Sequence, residues 1–452
     1  MSNRQKTGYA LAVLFAMNAM NFYDRNLAGT VAEPIRKEFL LSDTALGLLG
    51  TAFTLLYAAV GLPLGHLSDR MSRKKILSYG VALWSVFTAA SGLARSYPQL
   101  FAARLGVGVG EASCAPAASS LIGDLFPASK RAKALGVFML GLPIGIALSN
   151  GFSALVAARW GWRSAFYIAA IPGLVCALAA MAILEPRRGA AEIHDVGASK
   201  RAGSPFWLVL STPTMLWVII SGALHNFNMY ALGQFMVPFL MRYHGMHLAG
   251  ANLVSMGIYG ISGVPGLLLG GYLGDSIMKR RADGRMLVGT VALVIAAPLM
   301  FFALRRGPGD ITVFSLLMGT GIGVMYAYYS TVYSTIQDVV EPSLRGTAMA
   351  LYFFAMYVMG ASIGTLATGM ASDHFTKKAA IAAGVTNLVG KALEPYKAQG
   401  LHSALLIIPA LALLLALVLF AGSRTVTGDV EKLHTWMRQA AIESELSPAQ
   451  GD

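Results

Sequence analysis

Five ionisable side chains sit inside long apolar stretches of this chain: Asp24, Arg25, Arg104, Glu111 and His225. A charge in such a setting costs roughly 2.5–3.5 kcal/mol even on mild insertion scales, so it persists where it is paired or lines a wet cavity. Acids held near a guanidinium can take up and release a proton, or exchange an internal counter-ion for an external anion. Helix rise sets their depth. Asp24 falls about 10 Å below the end of an apolar run that finishes near residue 31. Arg104 falls about 9 Å inside a run that begins near 98. Glu111 lies two turns beyond Arg104 on nearly the same face, about 10 Å deeper. If the two helices adjoin, Arg104 bridges Asp24 while Glu111, with no second cation at its depth, waits nearer the midplane. Arg25, about 100° round the helix from Asp24, then packs against another helix or snorkels. Asp24, Arg104 and Glu111 are the candidates for proton coupling, and a purely structural Asp–Arg pair is the competing reading.

The elements that carry these groups must span a membrane. Hydrophobic residues make up 56% of the 452 and charged residues 13%, with mean hydropathy +0.59, too few charges to cover a soluble protein of this size. Apolar runs about 20 residues long or more fall near 8–31, 44–68, 76–94, 98–124, 132–157 and 163–184. A second set falls near 209–240, 248–274, 285–304, 311–338, 346–371 and 400–422. The spacing divides the chain into a six-helix half at 1–184, a linker at 185–206, a second half at 207–422 and a tail at 423–452. With both ends cytoplasmic, 21 Lys and Arg fall on that side against 12 opposite, the expected positive-inside bias. The net charge of +13 is thus a matter of topology, and no nucleic acid is expected as partner. Cys114 and Cys176 both fall in spans, which leaves no disulfide framework and no Cys-rich metal site. The first apolar run leads straight into another span and is not read as a cleavable signal. In the tail, Leu433, Trp436, Met437 and Ala440 share one face, which predicts an amphipathic helix on the membrane surface or under the bundle.

Two internal repeats support the halves. Gly65, Leu67, Asp69 and Arg73 recur as Gly271, Leu273, Asp275 and Lys279 at a constant offset of 206. Asp124 and Arg131 recur as Asp338 and Arg345 at an offset of 214. Acids ending one helix and cations starting the next make short cytoplasmic turns. Gly65, Asp69, Arg70, Arg73, Asp124, Arg131, Asp275, Asp338 and Arg345 are therefore the candidate cytoplasmic gate. Across the repeat, Arg104 and Glu111 become Met318 and Met325, and Asp24 becomes Ala231. The second half offers His225, Asn228, Tyr230, Tyr326 and Tyr329 instead, while Asn21 and Tyr23 in the first half match Asn228 and Tyr230. These residues, with Arg104 for an anionic group, are the candidate substrate contacts. Packing is the bland alternative for the tyrosines.

The pattern G-x-L-x-D-R-x-x-R-K-K at Gly65–Lys75, present in two copies, resembles the signature loop of the major facilitator superfamily. That resemblance implies two pseudo-symmetric bundles of six helices, an all-α membrane protein of twelve spans with cytoplasmic termini, in which helices 1 and 4 both line a central cavity. Asn21-Phe-Tyr-Asp24-Arg25 resembles a stretch shared by spinster-like lipid transporters and organic-anion transporters. The run Arg104 to Ser113, with Pro116 and Asp124-Leu-Phe-Pro127, is more similar to the spinster version. The resemblance implies a proton-coupled transporter in the plasma (bacterial inner) membrane. It would move amphipathic lipids such as sphingosine-1-phosphate or lysophospholipids, with a sugar acid or other organic anion as the alternative. Protons, substrate and bilayer are the expected partners, with a monomer, no cofactor and no metal. Enzymatic activity is not expected: His225 stands alone in its span, and no H-E-x-x-H occurs. The asymmetry of polar groups between halves argues against a channel ring.

Overall fold

The computed structural model describes residues 3–126, 134, 137–186, 204–341 and 344–446. Every regular element among them is helical, as a chain in lipid requires when each backbone N–H and C=O must be satisfied within its own segment. In chain order the first half comprises α1 (Asn3–Thr30), the short α2 (Ala32–Phe39), α3 (Asp43–Arg70), α4 (Arg73–Leu93), α5 (Tyr97–Glu111), α6 (Cys114–Leu125), α7 (Val137–Trp160) and α8 (Trp162–Met181). The second half begins with the short α9 (Pro205–Leu210) and continues through α10 (Pro213–Arg242), α11 (Leu248–Met278), α12 (Gly284–Leu304) and α13 (Ile311–Val339). It closes with α14 (Arg345–Ala355), α15 (Ser362–Ala382), α16 (Lys397–Leu405) and α17 (Ile407–Leu446).

Among the described residues, nine helical stretches are long and apolar enough to cross a membrane. Three further stretches, α1, the pair α5–α6 and α10, hold the buried polar side chains that lower their hydropathy. The sequence repeat is visible as geometry. Helix α5 stops at Glu111 and restarts as α6 at Cys114, with Ser113 Oγ donating back to the Gly110 carbonyl at 2.8 Å. Helix α13 has the matching interruption at Tyr326, 214 positions on. Small residues allow the close crossings. A Cβ on Gly145 would lie 2.2 Å from the Ala19 carbonyl oxygen, and one on Gly266 1.7 Å from that of Gly323.

The described chain starts and finishes at one end of the bundle, with Asn3 of α1 and Leu446 of α17, and at the other end the two halves are fastened together. There, α3 and α15 touch backbone to backbone: a Cβ on Gly47 would meet the Thr365 carbonyl oxygen at 2.4 Å, and one on Gly369 the Asp43 carbonyl oxygen at 2.3 Å. Of the two placements expected for the tail, the structure has the one against the bundle: it is the unbroken continuation of α17, because nothing interrupts the helix between the span and Leu446. Leu433 is buried against the bundle, Trp436 half-buried and Met437 exposed, and the side chain of Ala440 lies outside the described residues. Asp429 on this extension accepts from the Thr214 amide at 2.9 Å and its hydroxyl at 2.7 Å, so the tail caps the start of α10. Most of the expected linker also lies outside the described residues.

Candidate functional site

Helix α1 brings Asn21 and Arg25, one turn apart, to the face of α5 that carries Glu111. Arg25 Nη2 lies 3.3 Å from Glu111 Oε2 and 3.2 Å from Asn21 Oδ1. Its Nη1 donates across the halves to the Tyr357 hydroxyl at 3.2 Å. The guanidinium stands over the rings of Tyr57, Phe22 and Phe53 at 4.5, 5.0 and 5.3 Å, a cation–π cage. Tyr57 and Tyr357 pack with centroids 5.2 Å apart, and Tyr230 meets Tyr357 edge-on at 6.2 Å.

This reverses the expected pairing. Arg104 does not bridge the Asp24 carboxylate. It stands over Phe53 and donates to the Asp24 backbone carbonyl at 3.4 Å. Glu111 is the acid with a cation, and Arg25 supplies it. The reason is the 100° between neighbours on a helix: with Arg25 turned to α5, Asp24 turns to α4, where Trp84 and Thr88 face it. Asp24 is fully buried, and among the described residues neither of its carboxylate oxygens has a hydrogen-bond partner.

The other expected substrate contacts separate into two groups. Tyr23 hydrogen-bonds Ser153 and is buried between α1 and α7. Tyr326 packs against Gly263 of α11 at the break in α13. Those two serve helix packing. His225 is wholly buried, its ring stacked on Tyr328 at 3.9 Å and set edge-on to Tyr329 at 4.6 Å. Tyr328 also bonds Ser221 at 2.8 Å and Tyr352 at 3.0 Å. Among the described residues, the side chains of His225 and Asn228 have no hydrogen-bond partner. The structure thus gathers Arg25, Tyr230, Tyr357, His225 and Tyr329 around the interface between halves, and Tyr57 and Tyr357 had carried no signal as isolated tyrosines in the sequence.

At the end that holds the termini, Arg73 bonds Asp124 and reaches Glu185 Oε1 at 3.1 Å. Ser72 and the Arg73 amide also donate to Glu185. Burial pushes the Glu185 carboxyl up, but those hydrogen bonds outweigh it and hold the group below its usual range. In the second half the same position is filled by Arg285, not by Lys279. Arg285 bonds Asp338 and holds Asp275 at 2.7 Å. Arg345 instead donates to the Gln337 carbonyl at 2.8 Å. Arg285 follows a short turn whose length differs between the repeats, so a constant offset passes over it. Gly65 lies within α3, while Arg131 and the side chains of Asp69 and Arg70 lie outside the described residues.

The far end carries a second ionic network that motif reading did not single out. Arg36 forms a fork with Glu394, at 2.8 and 2.9 Å, and holds Glu33 at 2.8 Å. Arg242 holds Glu33 and Asp43, each at 2.8 Å. Asp373 accepts from the amides of Asp43 and Thr44 at 3.0 and 2.8 Å, capping α3 from the opposite half. Among the described residues, every hydrogen bond or ion pair between halves runs from Arg25–Tyr357 towards this far end. Charge complementarity between loops flanking different spans left no periodic trace in the sequence, and hence no signal.

A helical bundle of two repeats, with charges buried at their interface and a latch at one end, is the architecture of a membrane transporter. The family model of the Major Facilitator Superfamily matches residues 14–365, and the chain belongs to that superfamily. An MFS-type efflux pump of Mycolicibacterium smegmatis is 31% identical over 368 residues, 81% of this chain and 85% of the pump. Spinster homolog 3 of Danio rerio is 28% identical, covering 83% and 78%. A hexuronate transporter of Bacillus subtilis is 26% identical, covering 80% and 87%. The crystal structure of a bacterial homologue of the human lysosomal transporter spinster, inward-facing and unoccupied, superposes with a TM-score of 0.83 at 28% identity, covering 94% of this chain and 98% of that one. Within the superfamily the chain therefore resembles the spinster branch in sequence and in fold.

Proposed function

We propose that this protein is a proton-coupled secondary transporter of twelve spans, working by alternating access in the plasma (bacterial inner) membrane with both termini in the cytoplasm. The described conformation is then inward-facing: the far end is the outer side, closed by the Arg36 and Arg242 network. One observation supports the coupling reading above the rest. Asp24 is a buried carboxylate with no hydrogen bond among the described residues, one residue from a cation committed to Glu111. An uncompensated charge there is costly, and a proton on Asp24 removes it.

The geometry then links proton to substrate. Arg25 reaches Glu111 in its own half and Tyr357 in the other, so an anionic group entering from the cytoplasm competes with Glu111 for the same guanidinium. Arg25, caged by rings, takes the place of Arg104 as the head-group contact. An amphipathic lipid with an anionic head suits this pairing of one cation with the aromatic wall of Tyr57, Tyr230, Tyr329 and Tyr357. A ligand biases two states only by binding them unequally, and contacts to both halves provide that difference. The test is uptake into proteoliposomes under an imposed pH gradient: gradient-driven transport by the parent, lost in Asp24→Asn, supports coupling. Equal uphill transport by both refutes it. The hexuronate transporter relative favours a second reading, an organic anion such as a sugar acid as substrate. Lysophospholipid should raise the melting temperature by mass action where a sugar acid does not, and the reverse ranking selects the second reading.

A further inference from the structure

A cleft of about 450 Å³ opens on the outer surface of the second half, away from the site described above. One wall is α11, with Leu269, Leu273 and Ile277 exposed, and the other is α12, with Val291 and Ile295 exposed. Val324 and Ala327 of α13 form the floor. The cleft exists because α11 turns glycines to α13: a Cβ on Gly270 would lie 2.5 Å from Ala327 Cβ, so the helices meet without side chains between them.

Its length and its charge identify an occupant. From Gly266 to Ile277 the groove runs eleven residues, about 16 Å of helix. That is one leaflet of a bilayer whose hydrocarbon core is about 30 Å thick. A partner helix would need an apolar face of the full height, and this groove ends half way. Its end at the termini side is cationic. Arg281 lines it there, with its guanidinium 62% exposed and bonded only to Asp283 among the described residues, at 2.9 Å. Lys279 and Arg280 beside it are exposed and form no ion pair among the described residues, while Asp275 is occupied by Arg285. The turn thus presents three cations at headgroup level to a leaflet-deep apolar slot, an arrangement that favours anionic lipid.

We propose that this cleft binds an anionic two-chain phospholipid of the surrounding bilayer, one acyl chain lying between α11 and α12 and the phosphate on Lys279, Arg280 and Arg281. The lipid is a resident of the outer surface, not cargo, and the assignment stands apart from the transport reading.

Native mass spectrometry of the delipidated full chain tests it, with phosphatidylglycerol and phosphatidylcholine of identical chains as probes. The expected result is retention of phosphatidylglycerol at a free concentration at least tenfold lower than phosphatidylcholine. Lys279→Glu/Arg280→Glu/Arg281→Gln should erase that preference. Val291→Trp, which fills the slot from an exposed wall position, should cut retention of both lipids. Arg305→Glu/Arg306→Glu at the opposite end of α12, and Arg25→Gln in the central site, should leave it unchanged. Equal retention of the two lipids by the parent overturns the proposal, as does undiminished phosphatidylglycerol retention in the triple variant. Should Val291→Trp fail to elute as a folded monodisperse protein, the triple variant, confined to exposed side chains, decides alone.

Discussion

Arg242 is the position at which the far-end latch can be measured. Its guanidinium donates to Glu33 and to Asp43 at 2.8 Å, with all three side chains at most 7% exposed. Removing one member of a buried ion pair costs about 3–5 kcal/mol, because the remaining charge is stranded. Glu33 keeps Arg36 and Asp43 keeps the Ser372 hydroxyl at 2.6 Å, so the lower end of that range applies to Arg242→Ala. The loss falls on one conformation only. When the far end opens, water solvates both acids with or without the arginine. About 3 kcal/mol is roughly a 100-fold shift in the equilibrium at 1.4 kcal/mol per tenfold. A latch closed about 99% of the time in the parent would be open in about half of the Arg242→Ala molecules. Spin labels at Leu40→Cys and Val389→Cys, 63% and 69% exposed on opposite halves, report it by their distance distribution. Both native cysteines are buried and stay unlabelled. A second, longer distance should appear in Arg242→Ala and should shrink again in Arg242→Lys, which restores the charge without the fork. A distribution identical to the parent's would refute the reasoning that these charges hold the halves shut.

Glu394→Gln should open the same end less, about tenfold or under in the same spin-label assay, because its side chain is 40% exposed and part of the fork with Arg36 already competes with water. Gly369→Val should push α15 off the Asp43 carbonyl and leave the far end open irrespective of pH, seen as loss of the short distance. Glu185 gives a pH dependence of stability. Its carboxyl is held below the ordinary value in the folded protein, so its contribution is present at neutral pH and lost as pH falls through the usual range near 4.3 and below. Glu185→Gln should melt below the parent at pH 7, and the two melting curves should converge as the pH approaches 3. Finally, Glu111→Gln frees Arg25 from its carboxylate partner and should increase affinity for an anionic ligand by about tenfold in a thermal-shift titration, the loss of one competing ion pair.

The helical bundle and its inner repeat were legible because lipid enforces hydropathy over whole segments, and because homologous halves repeat their breaks as well as their loops. Glu111 and Tyr326 mark one such pair of breaks. The identity of the buried charges was legible too, since each costs too much to be accidental. Their partners were not. Asp24 and Arg25 are adjacent, and only the rotation of α1, set by contacts such as Gly145 on Ala19 and Tyr23 on Ser153, decides which of them meets Glu111. Depth along a helix can be counted from sequence, whereas azimuth depends on every neighbour. The far-end latch was hidden for a related reason: Glu33, Arg36, Arg242 and Glu394 sit in polar connections, where charged residues are ordinary and carry no penalty that would single them out.

Among the described residues, three widened turns interrupt long helical stretches, Ser149–Ser153 in α7, Gly257–Ile261 in α11 and Met356–Ala361 joining α14 to α15. Such a turn houses one residue more than the α-helical turn it replaces. Elsewhere in a span, deleting a residue rotates everything beyond it by about 100° and strips the helix of its contacts. Within these turns the same deletion would be absorbed: the turn tightens to an ordinary one and both flanks keep their registers. The helices therefore tolerate a change of chain length at three interior points, and each of those points stores a length of backbone that a bending helix can take up.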